Sequence, residues 1–322
     1  MIFAMVMIGG ITRLTWSGLS ITEWQPVTGI VPPLSAAAWQ AEFEKYRQIP
    51  QYKLLNAGMS LADFQTIYLW EYVHRLWGRL IGFVYLLPFI YFLIRGRIPR
   101  QLAWPLAGIF ALGAAQGGLG WWMVKSGLAD RIEVSQYRLT AHLALALVIY
   151  AATLWAALGL LYAPSRGATA GFRRGADIVL GLVSLTIAAG GFVAGLNAGL
   201  TYNTFPLMDG SFVPAGYAQL QPFVRNWFEN VAAVQFDHRI LAMTTVAAII
   251  ALWIAGWAAA LPPPTRRVLH VLLAVAVLQL SLGISTLLLV VPIPLAAAHQ
   301  AGAVLLLTAA IALRHRLRSG PV

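Results

Sequence analysis

Four of the six histidines, His74, His142, His238 and His299, sit inside long apolar stretches of the chain. An ionisable side chain in such a stretch needs a partner and usually marks function. Two neutral imidazoles facing one another across a helix bundle form an axial pair for haem iron. A structural zinc site asks for three or four converging ligands. With no cysteine in the chain, thiolate metal sites and iron–sulfur clusters are excluded, and bare His pairs favour haem. The bland reading of each histidine alone is a hydrogen-bonded packing residue. His270 and His315 lie beside arginine clusters and read as interface residues.

Other polar residues gather near the first pair. Glu71 is three residues before His74, so the two share a helix face. A carboxylate so deep is costly unless paired or protonated. Arg75 and Arg79 lie on a neighbouring face, Arg138 precedes His142 by four, and Arg239 follows His238. These arginines either snorkel to headgroups or donate to haem propionates as bidentate partners. Three residues before His238 stands Gln235. An acid at one place and a neutral amide at the other suggests that the first site does chemistry and the second holds a stable cofactor. Asp237, next to His238, reads as facing the outer interface rather than backing the histidine.

The elements that must position these residues are membrane helices. Of 322 residues, 59% are hydrophobic and 10% charged, too few charges to cover a water-facing surface, which usually takes about 25%. Spans of about 20 apolar residues are read at 67–94, 102–124, 137–162, 177–198, 231–260, 268–290 and 294–313. An eighth run, Met1 to Leu14, would reach only about 21 Å of a core of about 30 Å. It is expected to be a first helix missing its N-terminal part, with a re-entrant segment as the alternative. All four histidines then lie about 8–11 Å in from the outer helix ends.

The net charge of +11 is a topology signal, not a nucleic-acid patch. Arg95, Arg97 and Arg100, then Arg166, Arg173 and Arg174, then Arg266 and Arg267, and finally Arg314, Arg316 and Arg318 fall between or after alternate spans. The opposite loops carry Glu23, Glu42, Glu44, Asp63, Asp130, Glu133, Asp209 and Glu229. The positive-inside rule gives both termini cytoplasmic. The long loops 15–66 and 199–230 lie outside, rich in aromatics that suit an interface. In the first, Ser35 is expected to cap a helix from Ala36 to Gln48, and Ser60 another leading into the second span.

The halves echo one another. Gly9-Gly10 precedes Gly18-Leu19, and Gly190-Gly191 precedes Gly199-Leu200, at the same spacing. His74-Arg75 matches His238-Arg239, Gln116 to Gly120 matches Gln279 to Gly283, and His142 falls opposite His299. The expected fold is an all-α polytopic membrane protein with eight transmembrane helices. They form two tandem four-helix bundles, 1–165 and 166–322, related by a pseudo-two-fold axis along the membrane normal.

The motifs Gly9-Gly-Ile-Thr-Arg-Leu-Thr-Trp-Ser-Gly-Leu-Ser20, Trp24-Gln-Pro-Val-Thr-Gly29, Pro32-Pro33, Glu71-Tyr-Val-His-Arg-Leu-Trp-Gly-Arg79 and Asn203-Thr-Phe-Pro-Leu-Met-Asp-Gly210, in that order, resemble the haem A synthase family over nearly the whole chain. The resemblance implies a bacterial inner-membrane oxidoreductase that oxidises the C8 methyl of haem O to a formyl group by successive hydroxylations. It implies a haem b on His238 and His299, and the substrate haem on His74 and His142, with a proton-transfer or substrate-orienting role for Glu71. Haem O synthase, cytochrome oxidase assembly factors and an electron donor are the implied partners, with no nucleic acid. Some members carry cysteine pairs in the outer loops; this chain resembles the cysteine-free branch, so a thiol electron route is excluded. Two other readings fit the histidines or the repeat: a dihaem, quinol-linked cytochrome b type of electron carrier, and a transporter. The carrier leaves the Glu71–Gln235 difference unexplained and usually sets its haems at two depths. The transporter lacks its paired broken helices.

Overall fold

The computed structural model describes residues 1–25, 28–128, 132–162 and 169–318. Asp130 and Arg166 of the charge pattern, and Pro26 and Val27 of the Trp24–Gly29 motif, lie outside the described residues. Those described are all-helical apart from one isolated bridge, Met208 to Ser211. Seven helices are long and apolar enough to cross a membrane, and an N-terminal apolar helix is shorter.

The elements are α1 (Ile2–Leu14), α2 (Ala36–Arg47), α3 (Pro50–Leu54), α4 (Leu61–Ile94), α5 (Arg100–Leu128), α6 (Gln136–Leu161), α7 (Ala170–Gly195), α8 (Asn226–Glu229), α9 (Val231–Ala258), α10 (Pro263–Leu288) and α11 (Ile293–Arg316). Helix starts follow local chemistry rather than hydropathy, so three begin five to seven residues earlier than the apolar runs predict. Thr169 caps α7 by accepting from the Phe172 amide at 3.2 Å, which carries the helix through Arg173 and Arg174. Pro263 opens α10 at a position where its missing N–H is harmless. Ser60 caps α4 by accepting from the Asp63 amide, and Ser35 caps α2 in the same way from Ala38, both as predicted.

The chain divides into two compact units, Met1–Ile149 and Tyr150–Val322. In the first, α4 packs on α1 and α5. Its 34 residues extend about 51 Å, well beyond a bilayer core of about 30 Å. The extra turns enter an aromatic cap built with α2, α3 and the loop after α1. Phe64 stacks on Phe43 at 4.9 Å, Tyr46 lies 5.2 Å from Phe64, and Tyr68 meets Trp39 edge-on at 5.0 Å. Burial raises the Tyr46 hydroxyl above its ordinary pKa; it donates to Gln51 and accepts from Asn56. On the cap's surface Lys45 bridges Glu23 and Glu42 at 3.1 and 2.8 Å, and its hydrogen bond holds the Glu23 carboxyl below the usual range.

In the second unit α7 lies along α9 and α11, and α10 along α9 and α11, closing a ring. Lipid-exposed helices gain nothing from hydrophobic burial against one another, so close packing and polar contacts hold the ring. Gly175 admits Leu252 and Gly256 admits Leu269, where a Cβ would stand 3.0 and 2.4 Å from those side chains. Thr186 of α7 and Thr245 of α9 share a hydrogen bond at 2.8 Å. The last turns of α6 run beside α11, with Tyr150 bonded to Thr308 at 2.7 Å and Trp155 edge-on to His315 at 4.9 Å. His315 is fully buried there against protein; His270 is exposed and accepts from the Trp253 indole.

Candidate functional site

Each of the four intramembrane histidines rests on a glycine of a neighbouring helix. A Cβ on Gly9 of α1 would stand 2.8 Å from Cε1 of His74 on α4, and one on Gly120 of α5 3.1 Å from Cε1 of His142 on α6. The second unit repeats this with Gly190 of α7 under His238 of α9 at 3.1 Å, and Gly283 of α10 under His299 of α11 at 2.8 Å. Ordinary side-chain carbon contacts begin near 3.5 Å, so only glycine lets these rings lie so close to backbone. Each unit holds two of the four, His74 and His142 in the first and His238 and His299 in the second. His142, His238 and His299 lie six, seven and six residues past the starts of their helices. His74 lies thirteen past its own, because the first turns of α4 belong to the cap.

Among the described residues no hydrogen bond is made to Nε2 of any of the four. Nδ1 of His74, His238 and His299 is buried without a partner in full hydrogen-bond geometry. His142 differs: its Nδ1 lies 3.2 Å from the amide nitrogen of Gln116, which also donates to the His142 carbonyl at 2.9 Å. Backbone-seated imidazoles, two in each unit and with no protein hydrogen bond to Nε2, are residues that could hold a haem iron.

Beside each first histidine a polar clamp ties the outer loop to the helix. Glu71 is 2% exposed. Its Oε2 accepts from the Ser20 hydroxyl at 2.7 Å and the Ile21 amide at 2.8 Å, and its Oε1 accepts from Arg75 at 2.6 Å. Arg75 also donates to the carbonyls of Ile21 and Glu23 at 2.8 and 3.0 Å. In the second unit Gln235, equally buried, donates to the carbonyls of Ala198 and Thr201 at 2.6 and 2.5 Å and accepts from Arg239 at 3.1 Å. Arg239 in turn holds the carbonyls of Tyr202 and Thr204 at 2.5 and 2.8 Å. The loop positions correspond: Trp16 and Asn197, each just after its helix, are both left-handed, at φ 58° and 51°.

The remaining site residues lie at the outer rim. Arg79 donates to the Gln25 carbonyl at 2.7 Å. Arg138 donates to the Trp122 carbonyl at 2.6 Å and lies over that indole at 4.1 Å. Asp237 accepts from the Tyr217 hydroxyl of the outer loop at 2.9 Å, the outward-facing role its position predicts. Asn203, a motif residue, donates to the carbonyls of Gly199 and Leu287, pinning the second loop to α10. The structure seats each of the four histidines on a glycine of a neighbouring helix, two in each unit, and brings Glu71 together with Arg75. Sequence reading missed the glycine seats, the loop clamps and Gln116. The glycines and glutamines were visible as repeat markers, but spacing alone does not say what a glycine touches.

Comparison with known proteins gives this site its context. Residues 1–311 match the COX15-CtaA family, described as cytochrome oxidase assembly proteins. The chain is 54% identical over 323 residues to a haem A synthase of Nitrosospira multiformis, covering 99% of this chain and 90% of the relative. It is 55% identical over 320 residues to that of Rhodospirillum centenum, covering 99% and 86%. Against haem A synthase COX15 of Arabidopsis thaliana it is 46% identical over 330 residues, covering 98% and 72%.

Proposed function

The chain belongs to the COX15-CtaA family of haem A synthases, and from that premise we propose how its parts convert haem O to haem A for cytochrome oxidase. It is a multi-pass membrane oxidoreductase of haem biosynthesis acting on haem O. In our reading residues 1–165 and 166–322 form two tandem four-helix bundles about a pseudo-two-fold axis. The first takes the substrate haem between His74 and His142, and the second holds a haem b between His238 and His299. The glycine seats and loop clamps that recur in both units support this reading.

The observation that carries the division of labour is the exchange of Glu71 for Gln235 in otherwise matching clamps. Bound haem supplies the redox chemistry by which the C8 methyl is oxidised through successive hydroxylations; the protein supplies position and protons. His74 and His142 fix the substrate's depth, and their glycine seats fix the ring positions. Glu71, held by Arg75, keeps a proton-accepting oxygen on the helix face of His74. The Ser20 hydroxyl lies 3.4 Å from the Ile67 carbonyl as well as 2.7 Å from Glu71 Oε2. Turning Ser20 to that carbonyl frees Oε2 to take a proton. Gln235 has no such capacity, which suits a stored cofactor. Arg79 and Arg138 at the rim are the donors for substrate propionates. Arg239, whose Nε–H is buried without an acceptor, is a donor for those of haem b, and Arg75 acts through the loop it clamps.

The chain resides in the bacterial inner membrane with both termini cytoplasmic. It receives haem O from a haem O synthase and passes product to cytochrome oxidase assembly factors. The deciding experiment is extraction and chromatography of haems from cells expressing this chain with a haem O synthase. Haem A is expected, and its absence with haem O accumulating would refute the assignment.

A further inference from the structure

Gln116 and Gln279 stand at matching places, four residues before the glycine seats of His142 and His299, yet they treat those histidines differently. The Gln116 amide nitrogen is 2.9 Å from the His142 carbonyl oxygen and 3.2 Å from His142 Nδ1. Turning the amide over would set its oxygen against that carbonyl, two acceptors with no proton between them, so the NH2 group faces both. An N–H aimed at Nδ1 makes Nδ1 an acceptor, and the neutral ring then carries its proton on Nε2. An imidazole in that form has no Nε2 lone pair for a metal.

In the second unit the Gln279 side chain tucks against Gly302, where a Cβ would stand 2.1 Å from its oxygen. Among the described residues no amide N–H is bonded to Nδ1 of His299 or His238, which are both buried without a hydrogen-bond partner. Nothing there holds the ring proton on Nε2, so both rings can carry it on Nδ1 and leave Nε2 free, the usual arrangement of a metal-binding histidine.

We propose that Gln116 is a positioning residue that holds His142 in its Nε2–H form, so that His74 anchors the substrate iron and the His142 side stays exchangeable. The inference rests on the reading of the first unit as the substrate site. It gives the two units different iron chemistry from the same four histidine seats: one face open to exchange in the first, none in the second. Ligation by His142 requires its proton to move to Nδ1, and therefore requires the Gln116 amide to let go.

Carbon monoxide tests this, because reduced haem held firmly by two histidines does not take it up, which silences the second unit. Purified holoprotein is loaded with haem O, reduced and titrated with carbon monoxide. Wild type is expected to bind it in proportion to the haem O loaded, with a high-spin ferric spectrum beforehand. Gln116→Met keeps the length of the side chain but removes the donor. It should turn the loaded haem low-spin and weaken carbon monoxide binding by about tenfold or more. His142→Ala should keep both the loaded haem and the carbon monoxide response, which maintains the test if Gln116→Met does not fold. A carbon monoxide-silent wild type, an unaltered Gln116→Met, or loss of loaded haem in His142→Ala overturns the proposal. Failure of wild type to load haem O, or loading that survives His74→Ala, instead overturns the substrate-site reading beneath it.

Discussion

At the scale of single residues, Glu71 and Gln235 each meet loop chemistry of the opposite kind. The first loop presents donors, the Ser20 hydroxyl and the Ile21 amide, to a carboxylate that only accepts. The second presents carbonyls of Ala198 and Thr201 to an amide that donates. Glu71→Gln therefore puts an N–H against the Ile21 N–H or leaves it unmade, costing about 1–3 kcal/mol. The Arg239–Gln235 contact at 3.1 Å shows that an amide still serves the arginine, so the variant should fold and keep its haem b. Gln235→Glu should be worse, since it sets a buried charge against two carbonyl oxygens. Thermal unfolding in detergent, followed by release of haem, ranks the two; a Gln235→Glu protein as stable as wild type would remove the complementarity argument. Separately, haems extracted from cells expressing Glu71→Gln should show an alcohol intermediate in place of haem A. A wild-type product distribution would take Glu71 out of the mechanism.

At the scale of helices, the unit of design is a glycine on one helix and an imidazole on the next. Alanine at Gly190 or Gly283 places a methyl 3.1 or 2.8 Å from Cε1 of His238 or His299. The ring is the far end of a side chain and can retreat, so the fold survives with a penalty of about 1–3 kcal/mol, but a ligand must hold its geometry to within about 0.5 Å. Optical spectra of the purified variants should show weakened or lost haem b. Gly9→Ala and Gly120→Ala should spare haem b and reduce haem A. Gly117→Ala and Gly118→Ala, where no atom lies within 4 Å, should change neither; loss of haem b there would show general helix damage instead. These seats also mark the limit of what sequence alone discloses. Span positions were legible because hydropathy is a property of each segment by itself, and the four histidines because two recur in each half. The start of α4 was legible from its Ser60 cap, but the aromatic cluster its first turns enter was not, because Phe64 and Tyr68 pack on Phe43 and Tyr46, some twenty residues away. The loop clamps of Arg75 and Arg239 were hidden for the same reason: their acceptors are backbone carbonyls, which have no signature in residue type.

At the scale of the whole molecule, the charge pattern and the separation into two units each carry a consequence. In our proposal the arginines at the ends of α4 and α11 and the starts of α7 and α10 face the cytoplasm. A C-terminal alkaline phosphatase fusion should accordingly be inactive and a fluorescent protein fusion bright, and the reverse pattern would invert the topology. The two units, Met1–Ile149 and Tyr150–Val322, each contain their own pair of seated histidines. Ligands drawn from one unit should fail with that unit only. His238→Ala and His299→Ala should purify without the tightly bound haem b, since a remaining single imidazole holds iron from one face. His74→Ala and His142→Ala should retain haem b with an unchanged spectrum, yet make no haem A from haem O. This pattern separates a substrate site and a cofactor site from a carrier with two equivalent haems, in which either pair would cost one stable haem. Haem A formation by a first-pair variant would refute the site assignment, and loss of haem b on changing His74 would mean that the units do not hold their ligands independently.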